Sequence, residues 1–136
     1  MRGDEMIGIV IVTHGDLGKE FIAAAEHVVG KQAQLVNIGL FPEDNMDYKR
    51  EDIKSAVEQM DSGKGVILLT DLFGGTPSNL AISVMKQGKV EVIAGLNLPM
   101  LIKLLGIRQT VELKGAAEQA QAAGRKYINV ASALLE

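Results

Sequence analysis

Cysteine and tryptophan are absent from the 136 residues, and there are only two histidines, three prolines, two tyrosines and three phenylalanines. Without thiols there are no disulfides, no thiolate zinc sites and no cysteine nucleophiles. Two histidines are too few for a histidine-rich metal cluster. An excess of one charge is also missing: 14 basic against 17 acidic side chains give a formal net charge of −3. That balance disfavours a general electrostatic grip on nucleic acid or on acidic lipid. No apolar run approaches the roughly 20 residues of a membrane span. The polar start Met1-Arg2-Gly3-Asp4-Glu5 leads into no small-residue cleavage site. Neither a secretory signal nor direct membrane insertion is therefore read, and a cytoplasmic protein is expected. What is present is ordinary for a globular chain, with 47% hydrophobic and 23% charged residues. The length suits one domain spanning residues 1–136.

Met6-Ile7-Gly8-Ile9-Val10-Ile11-Val12 is continuously apolar and β-branched, as a strand covered on both faces should be. It stops at the polar run Thr13-His14-Gly15-Asp16. Leu17, Phe21, Ile22, Ala25, Val28 and Val29 then form one helical stripe, closed by Gly30. Leu35 to Leu40 reads as a second strand. The loop from Phe41 to Asp47 holds Pro42 and the acids Glu43, Asp44 and Asp47, which read as a solvated edge in preference to a docking site. Ile53, Ala56, Val57 and Met60 mark a second amphipathic helix. A third buried strand, Gly65 to Thr70, runs straight into Asp71-Leu72-Phe73-Gly74-Gly75-Thr76-Pro77. There Thr76 can cap a helix and Pro77 suits its first position. That helix turns Leu80, Ala81, Val84 and Met85 inward and ends near Gly88. Val90 to Ala94 is a fourth strand, followed by the loop Gly95-Leu96-Asn97-Leu98-Pro99 and a short helix to about Leu105. An Ala-rich helix from Val111 to Ala123 and a last short strand from Tyr127 to Ala131 complete the order.

Strands that alternate with helices and are apolar on both faces imply an α/β fold, with a mainly parallel sheet and helices on each side. In such sheets the working surface lies outside the carboxyl ends of the strands. The loops after strands one, three and four should therefore bring His14, Asp71 with its diglycine turn, and Asn97 into one neighbourhood.

His14 stands at a strand end, beside Gly15, in a loop that opens a helix. It reads as a nucleophile, the alternative being a hydrogen-bonded structural histidine. His27 lies within a helix between Glu26 and Val28 and is assigned a structural role. The Asp71 carboxylate can accept from one ring nitrogen of His14, fixing the tautomer and freeing the other nitrogen to attack. The alternative for Asp71 is a loop or capping aspartate. Gly74-Gly75-Thr76-Pro77 leads into a helix N-terminus, where free amides and the Thr76 hydroxyl can cradle a phosphate, although most Gly-Gly turns bind nothing. It lacks the Gly-Lys-Ser/Thr ending of a Walker loop. The first strand does not lead into a dinucleotide-binding glycine pattern, and the Gly-x-Ser-x-Gly of a serine hydrolase is missing. A nucleophilic imidazole, an orienting carboxylate and an anion cradle favour transient phosphorylation of His14 over hydrolysis, without a metal ion. Leu17, Phe73 and Leu98 read either as an apolar rim that excludes water around His14 or as core residues.

Three segments resemble the signatures of the mannose-family IIA domain of the bacterial phosphoenolpyruvate-dependent sugar phosphotransferase system. They are Ile9-Val10-Ile11-Val12-Thr13-His14-Gly15, Asp71-Leu72-Phe73-Gly74-Gly75-Thr76-Pro77 and Ala94-Gly95-Leu96-Asn97-Leu98-Pro99-Met100-Leu101. Together they span nearly the whole chain in order. The resemblance implies a phosphocarrier for sugar uptake, active without a cofactor. His14 would take a phosphoryl group from phospho-HPr on Nε2, with Nδ1 facing Asp71, and pass it to a IIB partner. Gly74, Gly75 and Thr76 would hold the phosphoryl group, and Leu17, Phe73, Asn97 and Leu98 would face the partner. The implied fold is a flavodoxin-like three-layer α/β sandwich, a homodimer that exchanges the strand Tyr127–Ala131.

Three rivals compete with this reading. An aspartyl-phosphate receiver would need an acidic pair after strand one, where Thr13-His14 stands. The phosphotransfer subunit of dihydroxyacetone kinase has a similar domain, but Thr13-His14-Gly15 and Gly-Gly-Thr-Pro fit the mannose type better. A regulatory IIA protein would signal phosphorylation state without feeding a permease. The sequence leaves the sugar open.

Overall fold

A computed structural model describes residues 5–135. In chain order the elements are β1 (Gly8–His14), α1 (Leu17–Val29), β2 (Leu35–Leu40), α2 (Met46–Met60), β3 (Val66–Thr70), α3 (Thr76–Ser83), β4 (Val90–Ala94), α4 (Leu98–Ile107), α5 (Leu113–Lys126) and α6 (Ala131–Leu134). The four strands pair in the order β2-β1-β3-β4, parallel throughout. Strand residues alternate between two separate cores. Ile9, Ile11, Ile67 and Leu69 face α1, α4 and α5, against Ala25, Leu101, Leu104, Ala116 and Ala120. Val10, Val12, Val66 and Leu68 face α2 and α3, against Ile53, Val57, Ala81 and Val84. This is the flavodoxin-like three-layer sandwich, and it explains why β1 and β3 read as unbroken apolar runs: water reaches neither face. The sheet grows outward from β1 in both directions, to β2 on one side and to β3 and β4 on the other. The carboxyl ends of β1 and β3 therefore flank the switch point, where such sheets place their sites.

Helix α1 departs from its sequence stripe. Leu17, Val28 and Val29 are 45%, 60% and 40% exposed, while Gly18 and Ala25 are buried. Gly18 is the reason: a Cβ there would stand 2.9 Å from Ile11 Cγ2, so the bare backbone lies directly on β1. Helix α2 starts ahead of its apolar stripe because the Asn45 side chain accepts the Tyr48 N–H at 3.1 Å. In the acidic loop, Asp44 accepts from the Phe41 N–H at 2.8 Å. Helix α3 ends at Ser83, short of Gly88. Within its own chain the Tyr127–Ala131 segment joins no sheet, and a four-residue helix starts at Ala131. Its β-branched residues satisfy the pattern of a strand, but a strand also needs a sheet edge to pair with, and within the single chain the segment pairs with none. Tyr127, Ile128, Val130, Leu134 and Leu135 are left 59–85% exposed.

Sequence reasoning missed Arg108, which is 1% exposed just after α4. Its guanidinium donates to the Gln34 carbonyl at 2.9 Å, the Gln32 Oε1 at 3.1 Å, the Ile7 carbonyl at 3.4 Å and the Ala33 carbonyl. No carboxylate is among these partners. Burial pushes its pKa down to about 10, so it is still a cation at neutral pH, held by carbonyl dipoles. It joins the end of α4 to the α1–β2 connection and to the residue before β1. Arg108→Ala leaves several buried acceptors unpartnered and is expected to lower the unfolding free energy by about 3 kcal/mol, measured by urea denaturation.

Candidate functional site

His14 is the last residue of β1, and its side chain is 55% exposed. Asp71 follows β3 directly, with its side chain 8% exposed. Nδ1 of His14 lies 2.8 Å from Asp71 Oδ2, and the His14 backbone N–H donates to the same oxygen at 3.0 Å. Oδ1 accepts the Leu72 N–H at 3.1 Å. Burial pushes the Asp71 carboxyl up, but the His14 ring and backbone N–H pull it down further, and the net shift is downward. The ionised carboxylate can only accept, so Nδ1 is the donor and Nε2 of the neutral ring keeps a free lone pair.

Glycines set the close approaches around this pair. The Gly15 N–H donates to the Leu40 carbonyl at 2.8 Å, and a Cβ on Gly39 would stand 2.2 Å from the Gly15 carbonyl oxygen. The loop carrying His14 is thereby pressed against the end of β2. Thr13 is fully buried, and its hydroxyl accepts the Gly18 N–H at 2.8 Å, tying the start of α1 to the strand that carries His14.

The diglycine bend lies along the other edge of the ring. A Cβ on Gly75 would meet His14 Cε1 at 3.1 Å and Nε2 at 3.5 Å. Gly75, not Thr76, precedes α3 as its cap, and Thr76 and Pro77 occupy the first two helical positions. The Gly74 N–H, expected as an anion-binding amide, is donated to Ser78 Oγ at 2.9 Å. The Gly75 and Thr76 amides and the Thr76 hydroxyl carry no hydrogen bond among the described residues. The bonding roles of Ser78 and of the Thr13 hydroxyl have no sequence signal, because a lone hydroxyl has no distinguishing spacing.

The other expected residues divide. Leu17 and Phe73 are exposed, Phe73 by 77%, and Leu72, at 51%, joins them as an apolar residue next to Asp71. The polar atoms of Asn97 are both engaged: Oδ1 accepts the Met100 N–H at 3.0 Å and Nδ2 donates to the Gly124 carbonyl at 2.8 Å, capping α4 and binding it to α5, while the residue also lines a groove with Phe73. Leu98 packs on the core and lines a groove of about 620 Å³ between α4 and α5. His27 is exposed in the last turn of α1. Among the described residues no three His, Asp or Glu side chains group as metal ligands, and no helix is long and apolar enough to cross a membrane.

A parallel α/β sandwich with a carboxylate-aimed histidine at its switch point is the class this chain represents. The family model described as PTS system fructose IIA component (EIIA-man) matches residues 8–121. The chain belongs to that family, the mannose-type IIA components of the sugar phosphotransferase system. It is 28% identical over 132 residues to the fructose-specific EIIA component of Bacillus subtilis, covering 96% of this chain and 90% of that one. It is 37% identical over 103 residues to the mannose-specific EIIAB component of Escherichia coli, covering 75% of this chain but 32% of that longer protein. The crystal structure of the EIIA component from Streptococcus agalactiae superimposes with a TM-score of 0.85 at 26% identity, covering 94% of this chain and 99% of that one.

Since folding lowers the Asp71 pKa below its ordinary 3.8, the ionised form favours the folded state. Its contribution is present above pH 3.8 and is lost as the pH falls through the folded value. The stability difference between wild type and Asp71→Asn, from urea unfolding, should be largest near neutral pH and shrink in that acid range.

Proposed function

We propose that this protein is a phosphocarrier of the sugar phosphotransferase system, taking a phosphoryl group from phospho-HPr on Nε2 of His14 and passing it to a IIB protein. The observation that carries this reading is the division of labour on one ring: Nδ1 is bonded to Asp71, while the ring is exposed and Nε2 is free. The Nε2 lone pair attacks phosphorus as the P–N bond to the donor histidine breaks, and the donor imidazole leaves with that electron pair. The proton on Nδ1 of His14 stays in place, so its bond to Asp71 strengthens as the ring gains positive character. The unpartnered Gly75 and Thr76 amides and the Thr76 hydroxyl would donate hydrogen bonds to the phosphoryl oxygens and stabilise their charge. Transfer onward to IIB is the same step in reverse, and its catalysis is alignment and charge stabilisation.

A protein must deliver the group, so the site has to be open. Exposed Leu17, Leu72 and Phe73 supply apolar contact area on that side. This role places the protein in the cytoplasm, where its phosphoryl donor is made. The relatives' names differ in sugar: fructose, mannose and sorbose. Intact mass after incubation with phosphoenolpyruvate, enzyme I and HPr should show the gain of one phosphoryl group. His14→Ala should gain none while keeping its native circular dichroism. Asp71→Ala should slow uptake by ~10–100-fold, and Thr76→Val by at least ~10-fold. Wild-type protein that stays unmodified overturns the reading.

The reading extends to a homodimer. The apolar side chains of Tyr127, Ile128 and Val130 are exposed, and β4 is an open sheet edge. A groove of about 490 Å³ runs beside that edge, lined by residues 91–95 together with Phe73 and Ile128. A second copy supplying its own 127–131 segment to this edge would cover both surfaces. Sedimentation of the full chain should give a dimer, and Ile128→Asp with Val130→Asp should give a monomer. A monomeric wild type at micromolar concentration overturns this part alone.

A further inference from the structure

We propose that Ser78 is a positioning residue for phosphoryl transfer, holding the diglycine bend in the shape that aims the Gly75 and Thr76 amides at Nε2 of His14. The inference rests on the phosphocarrier reading. Ser78 is the third residue of α3, and its side chain is fully buried beneath the bend. Its hydroxyl accepts the Gly74 N–H at 2.9 Å and donates to the Gly75 carbonyl at 3.0 Å. The one hydroxyl proton and one of its lone pairs are thus spent on the two adjacent glycines. The arrangement parallels a capping box, in which a side chain at the third helical position reaches back to the chain before the helix.

Two adjacent glycines form the backbone segment with the greatest freedom to lose. Packing does not restrain Gly74 from outside. Gly74 has φ +94°, and no atom lies within 4 Å of where its Cβ would be. Gly75, by contrast, is against the imidazole edge, 3.1 Å from Cε1 and 3.5 Å from Nε2 on the same measure. The bend is therefore open toward solvent and critical toward the ring. Of the side chains that restrain it, Ser78 bonds both glycines from the buried side. Donors that stabilise a transferring group act most strongly when already aimed, because no reorganisation is then needed at the moment of transfer. The serine does this without touching the phosphoryl group, since its hydroxyl is already committed. Removing it should scatter the amides while leaving the docking surface as it was.

The test is the steady-state kinetics of phosphoryl uptake from phospho-HPr by wild type, Ser78→Ala and Ser78→Cys. The cysteine keeps most of the volume and only a weak donor, so it serves if the alanine variant does not fold. Circular dichroism and thermal melting establish which variants are native. The expected result is a kcat lowered by ~10-fold, with KM for phospho-HPr within ~2-fold of wild type. Phosphohistidine hydrolysis should also be faster in the variant, because the phosphoryl oxygens lose fixed donors. Unchanged kcat in a folded variant overturns the inference, as does a raised KM at constant kcat, which would place Ser78 in docking. If wild type itself takes up no phosphoryl group, the phosphocarrier reading fails and this inference falls with it. Normal wild-type uptake with an unaffected variant removes the Ser78 role alone.

Discussion

A carboxylate sunk at the end of β3 keeps its charge because donors surround it. Asp71 receives the ring and the backbone N–H of His14 on one oxygen and the Leu72 N–H on the other. The two partners define each other. The carboxylate stays ionised because the donors are there, and the ring keeps one tautomer because the carboxylate can only accept. Because the backbone N–H of His14 shares the carboxylate with its ring, the end of β1 and the side chain it carries are positioned by one group. Nε2 is thereby directed toward solvent and the diglycine bend without any other atom having to grip it.

That pairing depends on close backbone approach. His14 and Asp71 are 57 residues apart in the chain and meet because β1 and β3 are neighbours in the sheet. The glycines keep the neighbourhood tight: Gly18 lets α1 lie on β1, Gly39 lets the His14 loop reach β2, and Gly75 lets the bend lie on the imidazole. At each of these a methyl would enter another residue's space, so the glycines serve proximity more than flexibility. At the opposite, amino-terminal end of the strands, Arg108 plays the corresponding structural part. It anchors the connection before β2 and the start of β1 through carbonyls, far from the exposed ring.

Among the exposed apolar side chains of the described residues, two groups stand out. One is beside the histidine, at Leu17, Leu72 and Phe73, and the other is the segment after α5. Isolated exposed apolar side chains are unremarkable in a folded protein. Clusters beside an exposed nucleophile and beside an open sheet edge are a different matter, because burial against another protein would remove both from water. The proposed function places a partner on the first and a second copy on the second.

Much of this was legible along the chain. The two-faced apolar runs of β1 and β3 specified a parallel sheet with helices on both sides, since only strands buried twice are written that way. The rule that such sheets work at their carboxyl ends then anticipated the meeting of His14 and Asp71, while the order β2-β1-β3-β4 that makes their strands neighbours came from the fold. Local patterns failed where distant contacts decide. Gly18 broke the α1 stripe because Ile11 lies under it, Asn97 spent its side chain on α5, and the strand-like Tyr127–Ala131 segment found no edge to join. Which glycine amide is free and which is taken by Ser78, and the burial of Arg108 among carbonyls, belong to the tertiary structure alone. Residue type states what a group can bond to; only the folded chain brings a partner within hydrogen-bonding distance, and hydrogen bonds fall away steeply beyond it.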